Sequence, residues 1–160
     1  MKLTINTQKL KDMISKSIVG AGNDKLIPIT TFMGITKHND NIMLTTTDAT
    51  NYLYVTDVIN NEQDDIQVTV FVDQFAKLIS RMTSENVELE VVNDALHIVG
   101  NGDYMLELPL DENGELVTYP DPAVEVFGNS PDIDTYSISL ADVKTVLDTV
   151  RPSLSTDNTN

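Results

Sequence analysis

Lys16, Lys77 and Arg81, with Lys9 and Lys11 near them, are the side chains of this sequence best suited to chemistry, and that chemistry is electrostatic. Lys9, Lys11 and Lys16 fall in one short stretch, Lys77 and Arg81 stand one helical turn apart, and Lys144 and Arg151 lie in a third stretch. Cations at such spacing hold phosphate oxygens without making or breaking a bond. The three stretches, residues 7–19, 73–83 and 140–151, carry seven basic and four acidic residues, net +3. The rest of the chain carries three basic and twenty-one acidic residues, net −18. Helix propensity alone would bring Glu along with Lys, yet none of the three stretches contains a Glu. Separation of sign by element is a surface field that attracts a polyanion on one side.

No covalent machinery accompanies these cations. Cys is absent, which removes a thiolate nucleophile, iron–sulfur ligation, Cys-based zinc sites and a disulfide scaffold. His38 and His97 are the only histidines, too few for a multi-histidine metal site, and neither has a nucleophile near it in sequence. No Gly-rich phosphate loop with Lys, no GxSxG and no HExxH occurs. Gly20-Ala21-Gly22 follows a helical stretch instead of opening one, so it reads as a turn. Asp64-Asp65 and Asp111-Glu112 pair acids in polar segments, where a solvated loop is a simpler reading than a weak metal site. Thr45-Thr46-Thr47-Asp48 reads as a strand end turning through an Asx-type cap. The expectation is a protein that is not an enzyme and needs no cofactor and no metal.

The elements that must position the cations follow from an internal repeat. Leu3-Thr4-Ile5-Asn6-Thr7 alternates as a half-buried strand. Leu10, Met13, Ile14 and Ile18 then form one face of a helix over 7–19, with Thr7 as its N-cap and Gly20 and Gly22 at its stop. The unit recurs 65 residues later: Val68 to Val72 as strand, Asp73 as cap, and Phe75, Leu78, Ile79 and Met82 as the apolar face of a helix over 73–83. It recurs after a further 68 residues, with Tyr136 to Ser139 followed by Val143, Val146, Leu147 and Val150. Leu10, Phe75 and Val143 are equivalent, as are Ile14, Ile79 and Leu147.

Strands fill the intervals. Ile29 to Thr36 and Ile42 to Thr47 join through the polar segment Lys37 to Asn41, and Tyr52 to Ile59 alternates again. Val87 to Val91 and Leu96 to Val99 meet across Asn93-Asp94, and Asn101-Gly102 turns into Tyr104 to Leu108. The expected fold is α+β: two pseudo-symmetric strand–helix–strands units within 1–125, their helices side by side on one sheet layer. Pro120, Pro122, Gly128 and Pro131 mark a linker over 126–134, and 135–160 starts a second, truncated domain.

The whole chain has 160 residues and net charge −15, with 41 % apolar and 22 % charged residues. That is a globular composition, of a size for one domain or one domain plus part of another. Read as a sum, the charge points to an acidic cytoplasmic protein and away from nucleic acid; the split by element reverses the second inference. No run approaches the ~18 apolar residues of a membrane span, and Met1-Lys2-Leu3-Thr4 opens with no signal-peptide core. No membrane partner is expected.

Together these features resemble the bacterial-type sliding clamp, the beta subunit of DNA polymerase III. Met1 to Ile5 looks like that family's opening strand. Ile27-Pro28-Ile29, then Ile35, then Leu44-Thr45-Thr46-Thr47-Asp48 resembles its Pro-Ile … Leu-x-x-x-Thr-Asp stretch. Val70 to Met82 is similar to its second helix, Tyr136 to Val150 to the opening of its middle domain, and Ser155-Thr156-Asp157 to the Ser-Thr-Asp that follows. The pattern departs at Asp24-Lys25, where the family often has an Arg before Pro-Ile, at Gly100 to Tyr104, which lacks the family's Arg residues, and at Asn160.

The resemblance implies a subunit of three similar domains, two subunits closing head to tail into a ring with helices lining the hole. It implies that Lys16, Lys77 and Arg81, with Lys25 and Lys9 as secondary positions, face the phosphates of duplex DNA, without sequence preference. It places Gln74, Leu78 and Met82, with Gly102 and Tyr104 of the strand near Gly100 to Met105, at the interface between two copies of the full-length chain. A DNA polymerase and a clamp loader would bind through regions outside this chain. A reading of another class stays open: an acidic interaction module or DNA mimic that binds a DNA-handling protein.

Overall fold

The computed structural model describes residues 2–22, 24, 26–59, 63–120 and 137–153. Lys25, Tyr136, Ser155 to Asp157, Asn160 and the expected linker over 126–134 lie outside the described residues. Strand β1 (Lys2–Asn6) runs straight into helix α1 (Thr7–Ser17), which ends in a 3-10 turn, Ile18–Gly20. A second 3-10 turn, Pro28–Thr31, leads to β2 (Phe32–His38), β3 (Asn41–Thr47) and β4 (Tyr52–Val58). The order then repeats: β5 (Ile66–Phe71), α2 (Val72–Ser80), β6 (Asn86–Val92), β7 (Ala95–Val99) and β8 (Asp103–Glu107).

The two repeats exchange their first strands. One sheet has the order β1-β6-β7-β8 and the other β4-β3-β2-β5, all neighbours antiparallel. β1, which runs into α1 without a loop, pairs with β6 of the second repeat, Leu3 opposite Leu89 and Asn6 opposite Asn86. In the same way β5 completes the first repeat's sheet, Met33 opposite Val70 and Lys37 opposite Ile66. The single sheet layer expected from the sequence is therefore two four-stranded sheets, each built from both repeats.

Period-2 alternation turns Leu3, Ile5, Val87, Leu89, Leu96 and Ile98 of one sheet and Met33, Ile35, Ile42, Leu44, Val68 and Val70 of the other into one core. Leu10, Met13 and Ile14 of α1 and Phe75 and Ile79 of α2 close it. The equivalent pairs read from the repeat, Leu10 with Phe75 and Ile14 with Ile79, are all buried.

Local chemistry adjusts the ends. The N-cap of α1 is Asn6, not Thr7: its Oδ1 accepts the Lys9 amide at 3.1 Å, and Thr7 is buried. Phe71 holds the N-cap position of α2, and Asp73 sits in the first turn instead, where its charge meets the helix dipole. Pro28 at a helix-first position winds Ile29 to Thr31 into the 3-10 turn, so β2 begins later than the sequence predicts. Asn39 (φ 50°) and Asn93 (φ 53°) take the left-handed backbone of two tight hairpins.

Three packing features have no counterpart in the sequence reading. Lys37 lies in β2 rather than in a turn, only 1 % exposed, its ammonium donating to the Gln63 carbonyl and, at 3.4 Å, to Asp65 Oδ1. Asp65 also takes His38 Nδ1 at 2.8 Å and the Asn39 amide at 3.1 Å, so one carboxylate ties the start of β5 to the β2–β3 hairpin. On the outer face of the second sheet the Tyr119 ring packs over Gly34, where a Cβ would stand 2.8 Å from the ring. The flanking Thr45 and Thr69 are buried.

Residues 1–120 form one compact unit and 121–160 a second. Within the second, helix α3 (Leu140–Val150) exposes Leu140, Val143, Val146, Leu147 and Val150.

Phe75→Ala should cost about 3–5 kcal/mol of unfolding free energy, because Phe75 is fully buried between the repeats; denaturant titration measures it, and a cost below 1 kcal/mol would contradict this core. Acid should also unfold the domain through its turns. Amides of Asn51 and Thr50 hold the Asp48 carboxyl below its ordinary range, and amides of Glu115 and Asn113 do the same for Asp111. The Lys9 ammonium lowers Asp57 and the His38 ring lowers Asp65. A carboxyl lowered on folding stabilises above its unfolded pKa, about 3.9, and that contribution fades as pH falls through the folded value. The melting temperature should therefore drop below about pH 4; a constant or rising value down to pH 3 would be the contrary result.

Candidate nucleic-acid interface

Helices α1 and α2 lie side by side over the core, joined where Lys11 Nζ donates to the Met82 carbonyl at 2.7 Å. Their apolar faces are turned inward, so the polar faces form one surface. Lys16, Lys77 and Arg81 are exposed on it. None of the three side chains has a hydrogen bond or ion pair among the described residues. Lys9 is different: its ammonium is bound to Asp57 at 3.0 Å and to the Val58 carbonyl at 2.8 Å, tying α1 to β4. Lys16 adds a smaller pull on the same Asp57. Of the two acids on this surface, Asp12 is held by Gln8 at 2.8 Å and Asp73 lies in the first turn of α2. Lys144 and Arg151 are exposed in the second unit.

The strands carry the opposite sign. Glu88 and Glu90 of β6 alternate with the buried Val87 and Leu89, and so point away from the core. Asp103 and Glu107 of β8 are exposed, as are Asp111, Glu112 and Glu115 beyond it. Lys2 pairs with Glu88 at 2.8 Å, and His97 Nε2 meets the Asp103 carboxylate. Phosphates approaching the helix pair therefore meet uncompensated cations, whereas the outward strand faces repel them.

The residues expected at a subunit interface separate into two groups. Gln74 is exposed, Leu78 is half-buried, and Tyr104 keeps 37 % of its surface exposed. Gly102 is half-buried against that ring, a Cβ there lying 2.6 Å from the Tyr104 hydroxyl. Met82 is the exception. Helix α2 ends at Ser80, the chain turns back through Arg81, and Met82 enters the core at 1 % exposure. Its side chain has no surface to offer a partner.

The sheet edges differ in a way the sequence does not announce. The outward amides of β1 are already occupied: Lys2 N–H donates to Asp64 Oδ2 at 2.9 Å and Thr4 N–H to the Gln63 side-chain carbonyl. The Asp64-Asp65 pair is thus an edge cap and a hairpin tie. The outer edge of β8 has no partner strand among the described residues. Among those residues, no group of three or more His, Asp or Glu side chains could hold a metal, and no helix is long and apolar enough to cross a membrane.

Residues 1–120 match the family described as DNA polymerase III beta subunit, N-terminal domain. The chain belongs to that family. No curated sequence matches it significantly. Among solved structures it resembles a Helicobacter pylori beta clamp bound to a DNA ligase peptide, with TM-score 0.75 and 14 % identity over 100 % of this chain and 42 % of that one. A Caulobacter crescentus beta sliding clamp gives TM-score 0.75 and 17 % identity over 99 % of this chain and 40 % of that one. The beta subunit of DNA polymerase III from Thermotoga maritima gives 0.66 and 13 %, over 79 % of this chain and 34 % of that one. At these identities the likeness is one of fold. The chain spans well under half the length of each.

Lys16→Gln, Lys77→Gln and Arg81→Gln should each leave the unfolding free energy within about 0.5 kcal/mol of the parent, because none of these side chains holds the fold. Met82→Ala should cost about 2–5 kcal/mol. Thermal and chemical denaturation of the four variants compares them, and an Arg81→Gln cost as large as that of Met82→Ala would contradict the assignment.

Proposed function

We propose that this chain is the N-terminal portion of a DNA sliding clamp, a processivity factor that tethers a replicative polymerase to duplex DNA by encircling it. The observation that carries the reading is the set of exposed cations without a partner among the described residues, Lys16, Lys77 and Arg81, on the helix pair of a protein with net charge −15. Membership of the beta-subunit family supports it. On this reading residues 1–125 are one clamp-like domain, 126–134 a linker and 135–160 the start of a second domain. The ring closes from two copies of the longer chain, and polymerase and clamp loader bind through regions outside this one. A soluble cytoplasmic setting and the lack of any catalytic step follow from the same role.

Contact is with phosphates and without sequence preference. The cations sit on helix faces backed by a packed core, and no described element projects to read base edges. Such binding tolerates sliding, because each phosphate is like the next. Lys9 plays a lesser part because Asp57 already holds it, and Lys25 remains a candidate by position alone. For ring closure the open edge of β8 is the surface of choice, with Tyr104, Gly102, Gln74 and the exposed part of Leu78 around it, because the edge at β1 is capped. The DNA-mimic alternative would place acid on the working face, whereas the helix pair carries the cations.

In the full-length ring, Lys16→Glu with Arg81→Glu should reduce retention on circular DNA while light scattering still reports a closed dimer. Loss of two phosphate contacts in each of the two subunits, four in the ring, should flatten the slope of log K against log salt by about 3.6. Retention of the double variant at parental level in low salt would reject the assignment of the helix pair to DNA.

A further inference from the structure

The DNA reading uses the cations of the helix pair and leaves the apolar groove between the two helices unexplained. That groove, of about 390 Å³, is lined by Lys11, Ile14, Ser15 and Ile18 of the α1 side and by Ala76, Lys77, Ile79 and Ser80 of α2. Ile14 and Ile79 form its buried floor. Ile18, 42 % exposed, and the half-buried Ala76 form its open apolar walls. The positions follow helical spacing: 11, 14, 15 and 18 share one stripe of α1, and 76, 79 and 80 share one of α2.

The rims are cationic. Lys77 has no partner among the described residues, and Lys11 donates only to the neutral Met82 carbonyl, so both keep their charge unbalanced. No carboxylate lines the groove. The two rim hydroxyls are turned to their own helices, Ser15 donating to the Asp12 carbonyl at 2.9 Å and Ser80 to the Lys77 carbonyl at 2.8 Å. The polar recognition on offer is thus two ammonium groups astride an aliphatic trough, on a chain that is acidic elsewhere. Phosphate oxygens satisfy the lysines but leave the trough wet. A purely apolar segment fills the trough but leaves the lysines unanswered.

We propose that the α1–α2 groove is a docking site for an acidic peptide segment of another protein. In this arrangement an aliphatic side chain of the segment lies on Ile18, Ala76 and the floor beneath, and carboxylates before and after it meet Lys11 and Lys77. The charge complementarity selects an acidic partner, and the trough separates that partner from a generic polyanion. Because Lys77 serves both ligands, the segment and duplex DNA exclude each other on this face. The docking itself does not depend on the DNA reading.

The test uses the 160-residue chain and a fluorescein-labelled fourteen-residue probe of Glu with two Leu at i, i+4, alongside its counterpart with Ser in place of Leu. Anisotropy at near-physiological salt should give at least about tenfold tighter binding for the Leu probe, the worth of one buried aliphatic side chain. Ile18→Ser should erase that difference while leaving binding of the Ser probe unchanged. Lys77→Glu should weaken both probes. Ile18 is at the surface, so its variant should fold, and methyl NMR of Ile14, Ile18 and Ile79 in the parent gives an independent reading, with shifts expected only from the Leu probe. Equal binding of the two probes would reduce the site to ion exchange and overturn the proposal. So would failure of the Leu probe to bind, or parental discrimination by Ile18→Ser. Self-association of the chain abolished by Ile18→Ser would name a second copy as the occupant and equally overturn it.

Discussion

Each repeat lends its first strand to the other repeat's sheet, and the architecture of residues 1–120 depends on that exchange. β1 ends at Asn6, α1 begins at Thr7, and β1 has its partner, β6, in the other repeat. The contact is fixed at the junction itself, where the Thr7 amide donates to the Glu85 carbonyl at 2.9 Å. β5, which leads into α2, makes the reciprocal pairing with β2 of the first repeat. Neither repeat can therefore complete a sheet alone, and folding one without the other would leave three strands with an unfilled edge and an uncovered apolar face. Each helix follows an edge strand of the other repeat's sheet, and α1 and α2 lie side by side.

That geometry converts a pattern along the chain into a pattern in space. The five cations of two helical stretches become neighbours, while most acids stand on strands and connections. Like charge on the acidic remainder of the surface disfavours the approach of a polyanion there. Within the helix pair there is a division of labour. Lys9 is spent on the fold, on Asp57, whereas Lys11 donates to the neutral Met82 carbonyl and keeps its charge. Lys16, Lys77 and Arg81 are left to whatever approaches.

Much of this was legible in the sequence for a physical reason. Helical spacing of Leu10, Ile14, Phe75 and Ile79, and period-2 alternation in the strands, record burial directly. The exposure of Lys16, Lys77 and Arg81 follows from the same wheels. What stayed hidden depends on partners distant along the chain. Leu3 meets Leu89, Lys37 is buried only because Gln63 and Asp65 converge on its ammonium, and Gly34 is small because Tyr119 lies on it. The cap of α1 was misplaced because Asn6 and Thr7 are adjacent and both are capping types. Met82, placed at the interface by the family resemblance, is buried instead, as its apolar position in the repeat implies, because the chain turns inward after α2 ends at Ser80. The edge cap by Gln63 and Asp64 looked like an ordinary acidic loop, since nothing local reveals that β1 needs its outward amides covered.

The central claim is that the helix pair is the surface this protein turns toward duplex DNA. Paramagnetic relaxation tests it directly: a short duplex carrying a spin label, mixed with the isotope-labelled 160-residue chain at low salt, broadens the amides nearest the bound DNA. The account predicts broadening centred on α1 and α2 around Lys16, Lys77 and Arg81, disappearing as salt is raised, with β6 and β8 unaffected. Broadening centred on the strands, or none along the helices, would contradict it.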